Sequence, residues 1–131
     1  MKVLVDTCIW SLALRREAYE ENEFTNKLKE LILVQRVQMV GPVRQELLSG
    51  IKSIKHYEKL KTYLQAFPDL SLEMKDYELA AKFYNSCRTK GVQGSNTDFL
   101  LCAIAQNRHM PIYTLDKDFY NFQKYIDIKL F

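Results

Sequence analysis

Val3-Leu4-Val5 is apolar at every position and β-branched at two of the three. A strand with one wet face alternates apolar and polar side chains, so an unbroken apolar run reads as a strand covered on both faces. Such strands belong to parallel sheets, and parallel pairing needs a crossover, usually a helix, between one strand and the next. The chain supplies these crossovers. Residues 7–15 read as a helix with Thr7 as a possible N-cap. Residues 20–34 carry Phe24, Leu28, Leu31 and Ile32 at helical spacing behind an acidic first turn. Val37-Gln38-Met39-Val40 reads as a second strand. Gly41-Pro42 breaks it, and Pro42 suits the first position of a helix running to about Gly50. Residues 53–66 form another helix, with Ile54, Tyr57, Leu60 and Leu64 at its apolar positions. Phe67-Pro68 ends it, and Leu70-Ser71-Leu72 reads as a short strand. A helix follows over 75–89, with Tyr77, Ala80, Ala81 and Tyr84 on one side. Gly91 to Gly94 is a loop, and Asn96 to about Asn107 is a strongly apolar helix. Pro111-Ile112-Tyr113-Thr114 is a further buried strand, 117–124 a short helix and Ile126-Asp127-Ile128 a last strand. Strands alternating with helices predict an α/β sandwich around a mostly parallel sheet of four or five strands. Without a repeat or linker, one domain covers residues 1–131.

Composition narrows the class. A chain of 131 residues, 47% hydrophobic and 27% charged, can bury a core without staples. Four glycines and three prolines argue against disorder and against a turn-rich all-β fold. Cys8, Cys87 and Cys102 form no CxxC pair, and His56 and His109 stand far from them. Buried reduced thiols are expected, and a zinc site is not. The first apolar run is too short for a signal peptide, and no run approaches a membrane span, so a cytoplasmic location is expected. The net charge of +3 permits nucleic-acid binding without requiring it. Residues 52–61 carry four lysines against one glutamate, either a solvated helix face or a surface for phosphates.

Four acids stand out by position. In open α/β sheets, ligands bind beyond the carboxyl ends of the strands. Asp6 follows directly on Val3-Leu4-Val5, and Asp116 follows closely on Ile112-Tyr113-Thr114. Glu46 shares a helix face with Val43 and Leu47. Asp98 lies in the first turn of the apolar helix that continues Phe99-Leu100-Leu101-Cys102-Ala103-Ile104-Ala105. Each has a purely local reading. Asp6 could cap a helix, Asp98 could complement a helix dipole, Glu46 could pair with Arg44 or a lysine, and Asp116 could begin an Asx turn. Their joint placement, where a parallel sheet would bring them together, is the functional signal.

These motifs resemble those of the PIN-domain ribonucleases, in particular the VapC-type toxins of toxin–antitoxin pairs. That family begins with a strand and Asp-Thr, here Val3-Leu4-Val5-Asp6-Thr7. It places a Glu in the helix after the second strand, as in Pro42-Val43-Arg44-Gln45-Glu46-Leu47. An Asp opens an apolar helix, as in Asn96-Thr97-Asp98-Phe99, and a strand leads into Thr-x-Asp-x-Asp-Phe, here Thr114-Leu115-Asp116-Lys117-Asp118-Phe119. The resemblance covers the whole chain and implies a three-layer sandwich. Two departures are visible: Cys8 stands where Ser is frequent, and Arg108-His109 where a Gly is frequent.

Carboxylates without histidine suit Mg2+ or Mn2+ rather than zinc. The expected mechanism has Asp6, Glu46, Asp98 and Asp116 holding one or two ions, Glu46 in part through water and Asp118 as a weaker ligand. Thr7 and Thr114 could orient the carboxylates. Arg44, Lys52 and Lys55, with Lys59, Lys61, Arg88 and Lys90, could meet phosphates. The resemblance implies an RNA substrate, often a structured one such as tRNA, a homodimer and a protein antitoxin. The segment Ile9-Trp10-Ser11-Leu12 reads either as core or as part of a groove for that partner. The competing readings are a non-catalytic PIN-like RNA-binding module and a DNA-directed nuclease of related chemistry. P-loop and Rossmann sites are excluded by the missing glycine-rich loops.

Overall fold

β1 (Val3–Val5) is buried at all three positions, as an apolar strand covered on both faces must be. The computed structural model describes residues 1–15 and 22–131. β1 lies between β2 (Val37–Gln38) and β3 (Ile112–Tyr113) in the order β2-β1-β3, and both pairings are parallel. Val3 stands opposite Val37, and Leu4 opposite Ile112. All three strands therefore point their carboxyl ends to one edge.

The sheet is smaller than the sequence suggests, with three strands among the described residues rather than four or five. The strand expected at 70–72 contracts to one parallel bridge between Met39 and Asp69. Pro68, directly before it, has no N–H to extend the ladder. The strand expected at 126–128 becomes a bridge between Ile112 and Leu130. Ile128 N–H turns back onto the Ile126 carbonyl at 2.9 Å, a tight turn that delays pairing by two residues.

The helices are α1 (Thr7–Leu14), α2 (Glu23–Leu33), α3 (Gly41–Leu48), α4 (Ile54–Leu64), α5 (Met74–Thr89), α6 (Asn96–Arg108) and α7 (Asp118–Gln123). Asn22 caps α2, and residues 20 and 21 of the expected helix lie outside the described residues. Pro42 sits in the first turn of α3, and Val43 and Leu47 face inward from it. α6 buries seven consecutive residues, Phe99 to Ala105, which a helix does only when neighbours surround it. α5 packs along α6, while α1 packs on α2 and α3. Trp10 is core, edge-on to Phe67 with ring centroids 5.0 Å apart.

Two amphipathic faces differ from expectation. α5 turns Asp76, Ala80 and Cys87 inward, while Tyr77, Ala81 and Tyr84 are exposed. The buried acid decides this rotation. Asp76 is fully buried and receives both guanidinium nitrogens of Arg108, at 2.6 and 2.8 Å, with Asn107 at 2.9 Å. A paired carboxylate can be buried where a bare one cannot. On α4 only Leu64 is fully buried, and Ile54 is 81% exposed.

Candidate active site

The carboxyl ends of β1 and β3 meet at Asp6, whose N–H donates to the Tyr113 carbonyl at 2.9 Å. Asp6, not Thr7, caps α1: its Oδ1 accepts the Thr7 N–H at 2.8 Å. Its Oδ2 accepts the Thr114 hydroxyl at 2.8 Å and the Cys8 thiol at 3.6 Å. The Thr114 Oγ1 in turn accepts the Asp116 N–H at 2.9 Å, so one hydroxyl joins the two strand-end acids. Asp116 forms the Asx turn open to it, with Oδ1 accepting the Asp118 N–H at 2.9 Å. Asp118 itself opens α7.

Asp98 enters from α6. It forms a capping box with Ser95: its Oδ2 accepts the Ser95 N–H at 3.0 Å, and the Ser95 hydroxyl accepts the Asp98 N–H at 3.1 Å. Burial holds the Asp98 carboxyl above its usual range, partly offset by Ser95, and the charges of Asp6 and Asp116 push it the same way. The three aspartates are therefore near enough to feel one another. Glu46 joins through Thr7, whose hydroxyl donates to its Oε1 at 2.7 Å. Glu46 and Thr7 line a cleft of about 470 Å³ with Pro42, Gln45, Ser49 and Thr97, next to Asp98 in sequence.

Each acid thus performs a local job, and each local reading except the pairing of Glu46 with a cation is realised. The jobs leave capacity. Among the described residues, Asp98 Oδ1, Asp116 Oδ2 and Glu46 Oε2 accept no hydrogen bond, and none of the four acids forms an ion pair. Asp6 is 7% exposed, and among the described residues no cation pairs with it. Burying charge without compensation is costly, so the arrangement suits a positive ligand. The donors are all oxygen, which fits a hard divalent cation. The sulfur that bonds Asp6, Cys8, has its thiol pushed up by burial, which disfavours the thiolate. Among the described residues no three His, Cys, Asp or Glu side chains already form a ready-made ion cage.

The cations fall elsewhere. Arg44 is engaged within the fold: its guanidinium donates to Asp69 at 3.0 Å, to the Leu64 carbonyl at 3.1 Å and to the Phe67 carbonyl, tying α3 to the end of α4. Its remaining N–H donors are the part that could still meet a phosphate. Lys52 is exposed, and Lys55 lines a separate groove of about 830 Å³ with Leu14, Lys59 and Tyr63. Two contributors were missed. Cys8 is not a plain core thiol: it is half-buried, accepts the Leu115 N–H at 3.3 Å and bonds Asp6. Ser95 was legible as the Ser-x-x-Asp start of a capping box.

No helix among the described residues is long and apolar enough to cross a membrane. No curated protein matches the chain. Solved structures with the same fold include FitAcB from Neisseria gonorrhoeae, with TM-score 0.77 at 22% identity over 98% of this chain and 96% of that one. VapBC2 from Rickettsia felis, bound to a promoter DNA fragment, gives TM-score 0.76 at 19% identity over 100% and 98%. DNA-bound VapBC from Salmonella typhimurium gives 0.75 at 16% over 100% and 97%. The PIN domain family itself matches residues 3–125. With that match running from β1 to just past α7, the chain belongs to the PIN domain family.

Proposed function

We propose that this protein is a divalent-metal-dependent endoribonuclease and the toxin of a toxin–antitoxin pair. PIN domains are nucleases and generally use divalent ions. The observation that carries the reading is the junction of Asp6 and Asp116 at the Thr114 hydroxyl, with Glu46 tied in through Thr7, and no cation paired with any of these acids among the described residues. We read residues 1–131 as one such domain, working in the cytoplasm.

Asp6, Asp98 and Asp116 would hold one or two Mg2+ or Mn2+ ions, with Glu46 reaching in part through water and Asp118 as a weaker ligand. When bound, the metal supplies a hydroxide-like nucleophile and neutralises charge on the phosphodiester. The chain's own part is positional. Thr114 fixes the Asp6 carboxylate and the Asp116 backbone together. Thr7 fixes Glu46, and Ser95 fixes Asp98. Such outer hydrogen bonds set ligand orientation. Solved structures that share the fold include VapBC and FitAcB assemblies, which favour a protein antitoxin as partner. The substrate we infer is RNA, tRNA included, and the working unit a homodimer.

The test is incubation of total cellular RNA with purified protein in Mg2+ or Mn2+, against EDTA. The reading expects discrete fragments that vanish in EDTA. Intact RNA in both metals, or cleavage of DNA alone, would overturn it.

A further inference from the structure

Acids attract a metal but repel RNA, so the substrate needs a foothold beside them. A cavity of about 290 Å³ lies between the last turns of α5 and the 91–95 loop, lined by Tyr84, Arg88, Val92, Gln93, Gly94 and Phe99. Building on the ribonuclease reading, we propose that this cavity is a nucleobase subsite that takes one unpaired guanine beside the cleaved phosphodiester.

Three observations support it. The first is adjacency. Gly94 precedes Ser95, which shares the capping box with Asp98, so a single loop serves the cavity and the acid cluster. The second is rigidity. Tyr84 stands edge-on to Phe99 with centroids 5.7 Å apart, and Phe99 rests on Phe122 at 4.9 Å. A Cβ on Gly94 would fall 2.6 Å from Phe122, so the loop backbone lies directly against these rings. The wall is fixed before any ligand arrives, which lowers the entropy cost of binding. The third is chemistry. Arg88 and Gln93 are exposed, and among the described residues neither side chain has a hydrogen-bond or ion-pair partner. Unpaired bases bind proteins by stacking on aromatic or guanidinium planes and by hydrogen bonds at their edges. A guanidinium donates only, and among the purines guanine alone presents two neighbouring acceptors, O6 and N7, on one edge; cytosine offers O2 and N3, but its single ring covers less of the aromatic wall.

The test titrates GMP, AMP, CMP and UMP into 15N-labelled full-length protein in EDTA, read by amide chemical shifts. GMP should move Gln93, Gly94 and Ser95 and bind several-fold tighter than the other three. Arg88→Lys keeps the charge but loses the fork, and it should erase that preference. Arg88 is exposed, so the variant keeps its fold. Equal shifts for all four nucleotides, shifts confined to other residues, or an undiminished GMP preference in Arg88→Lys would each overturn the subsite. In the RNA arm, wild-type cuts should carry guanine at one fixed neighbouring position, and Arg88→Lys cuts should not. A protein that cuts no RNA defeats the ribonuclease reading alone, because the metal-free titration still decides the subsite.

Discussion

At the scale of single residues, charge is managed in two opposite ways. Asp76 is buried and fully partnered. Arg108 holds its carboxyl well below the usual value of 3.8 against the cost of burial, helped by the Glu73 N–H and Asn107. A carboxyl depressed in the folded state adds stability that is complete above 3.8 and fades as pH falls through its folded value. Arg108→Ala would strand this buried charge. It should cost about 3–5 kcal/mol in urea denaturation at pH 7, and acid unfolding should begin at a higher pH than in wild type. A loss below ~1 kcal/mol at pH 7 would show that the pair is not holding α5 to α6. Next to it, His109 takes the left-handed conformation at the end of α6, with φ of 54°. Glycine reaches that conformation without strain, so His109→Gly should stabilise the protein by about 1 kcal/mol in the same assay. This accounts for the departure from the family pattern at 108–109: the arginine is committed to Asp76 and the histidine does a glycine's work. Asp6 and Asp116 stand out from position because acids that follow buried strands need a reason to be there, while Glu46 and Asp98 lie on helices and stand out only beside them. The tie made by Arg44 was not legible, because its acceptors, the Asp69 carboxylate and two carbonyls, lie twenty or more residues away.

At the scale of elements, the apolar runs read well and the mixed faces did not. β1 and α6 are apolar throughout, and their burial follows whatever their rotation. α5 is amphipathic, and its orientation was set by a buried ion pair that no periodicity reveals, so its tyrosines went outward. The terminal strands failed for a similar reason: bridge formation at Asp69 and Leu130 depends on Pro68 and on the turn at Ile128 rather than on local apolar content. The 91–95 loop illustrates how tightly an element can be fixed. Gly94→Ala would push a methyl into Phe122 and Phe99. Overpacking of this kind costs about 1–3 kcal/mol. Calorimetry should show a lower melting temperature, and an unchanged one would mean that the loop can move aside.

At the scale of the whole molecule, the proposed function makes the acid cluster a standing cost that a cation would remove. Any ligand that binds only the folded state stabilises it, by about 2.7 kcal/mol at a concentration one hundred times its Kd. Mg2+ or Mn2+ should therefore raise the melting temperature relative to NaCl at equal ionic strength, and EDTA should reverse the gain. A melting temperature indifferent to divalent ions would leave the cluster without its proposed occupant.

The most direct measurement is the rate of cleavage of one defined RNA against Mn2+ concentration, for wild type and for Asp6→Asn, Glu46→Gln, Asp98→Asn and Asp116→Asn. Losing even an outer hydrogen-bond partner of a metal site costs about 10–100-fold. Asp6→Asn, Asp98→Asn and Asp116→Asn should each lose more than ~100-fold, and Glu46→Gln should need more Mn2+ for what activity it keeps. Full activity in any of the three aspartate variants, with wild-type dependence on Mn2+, would contradict the account.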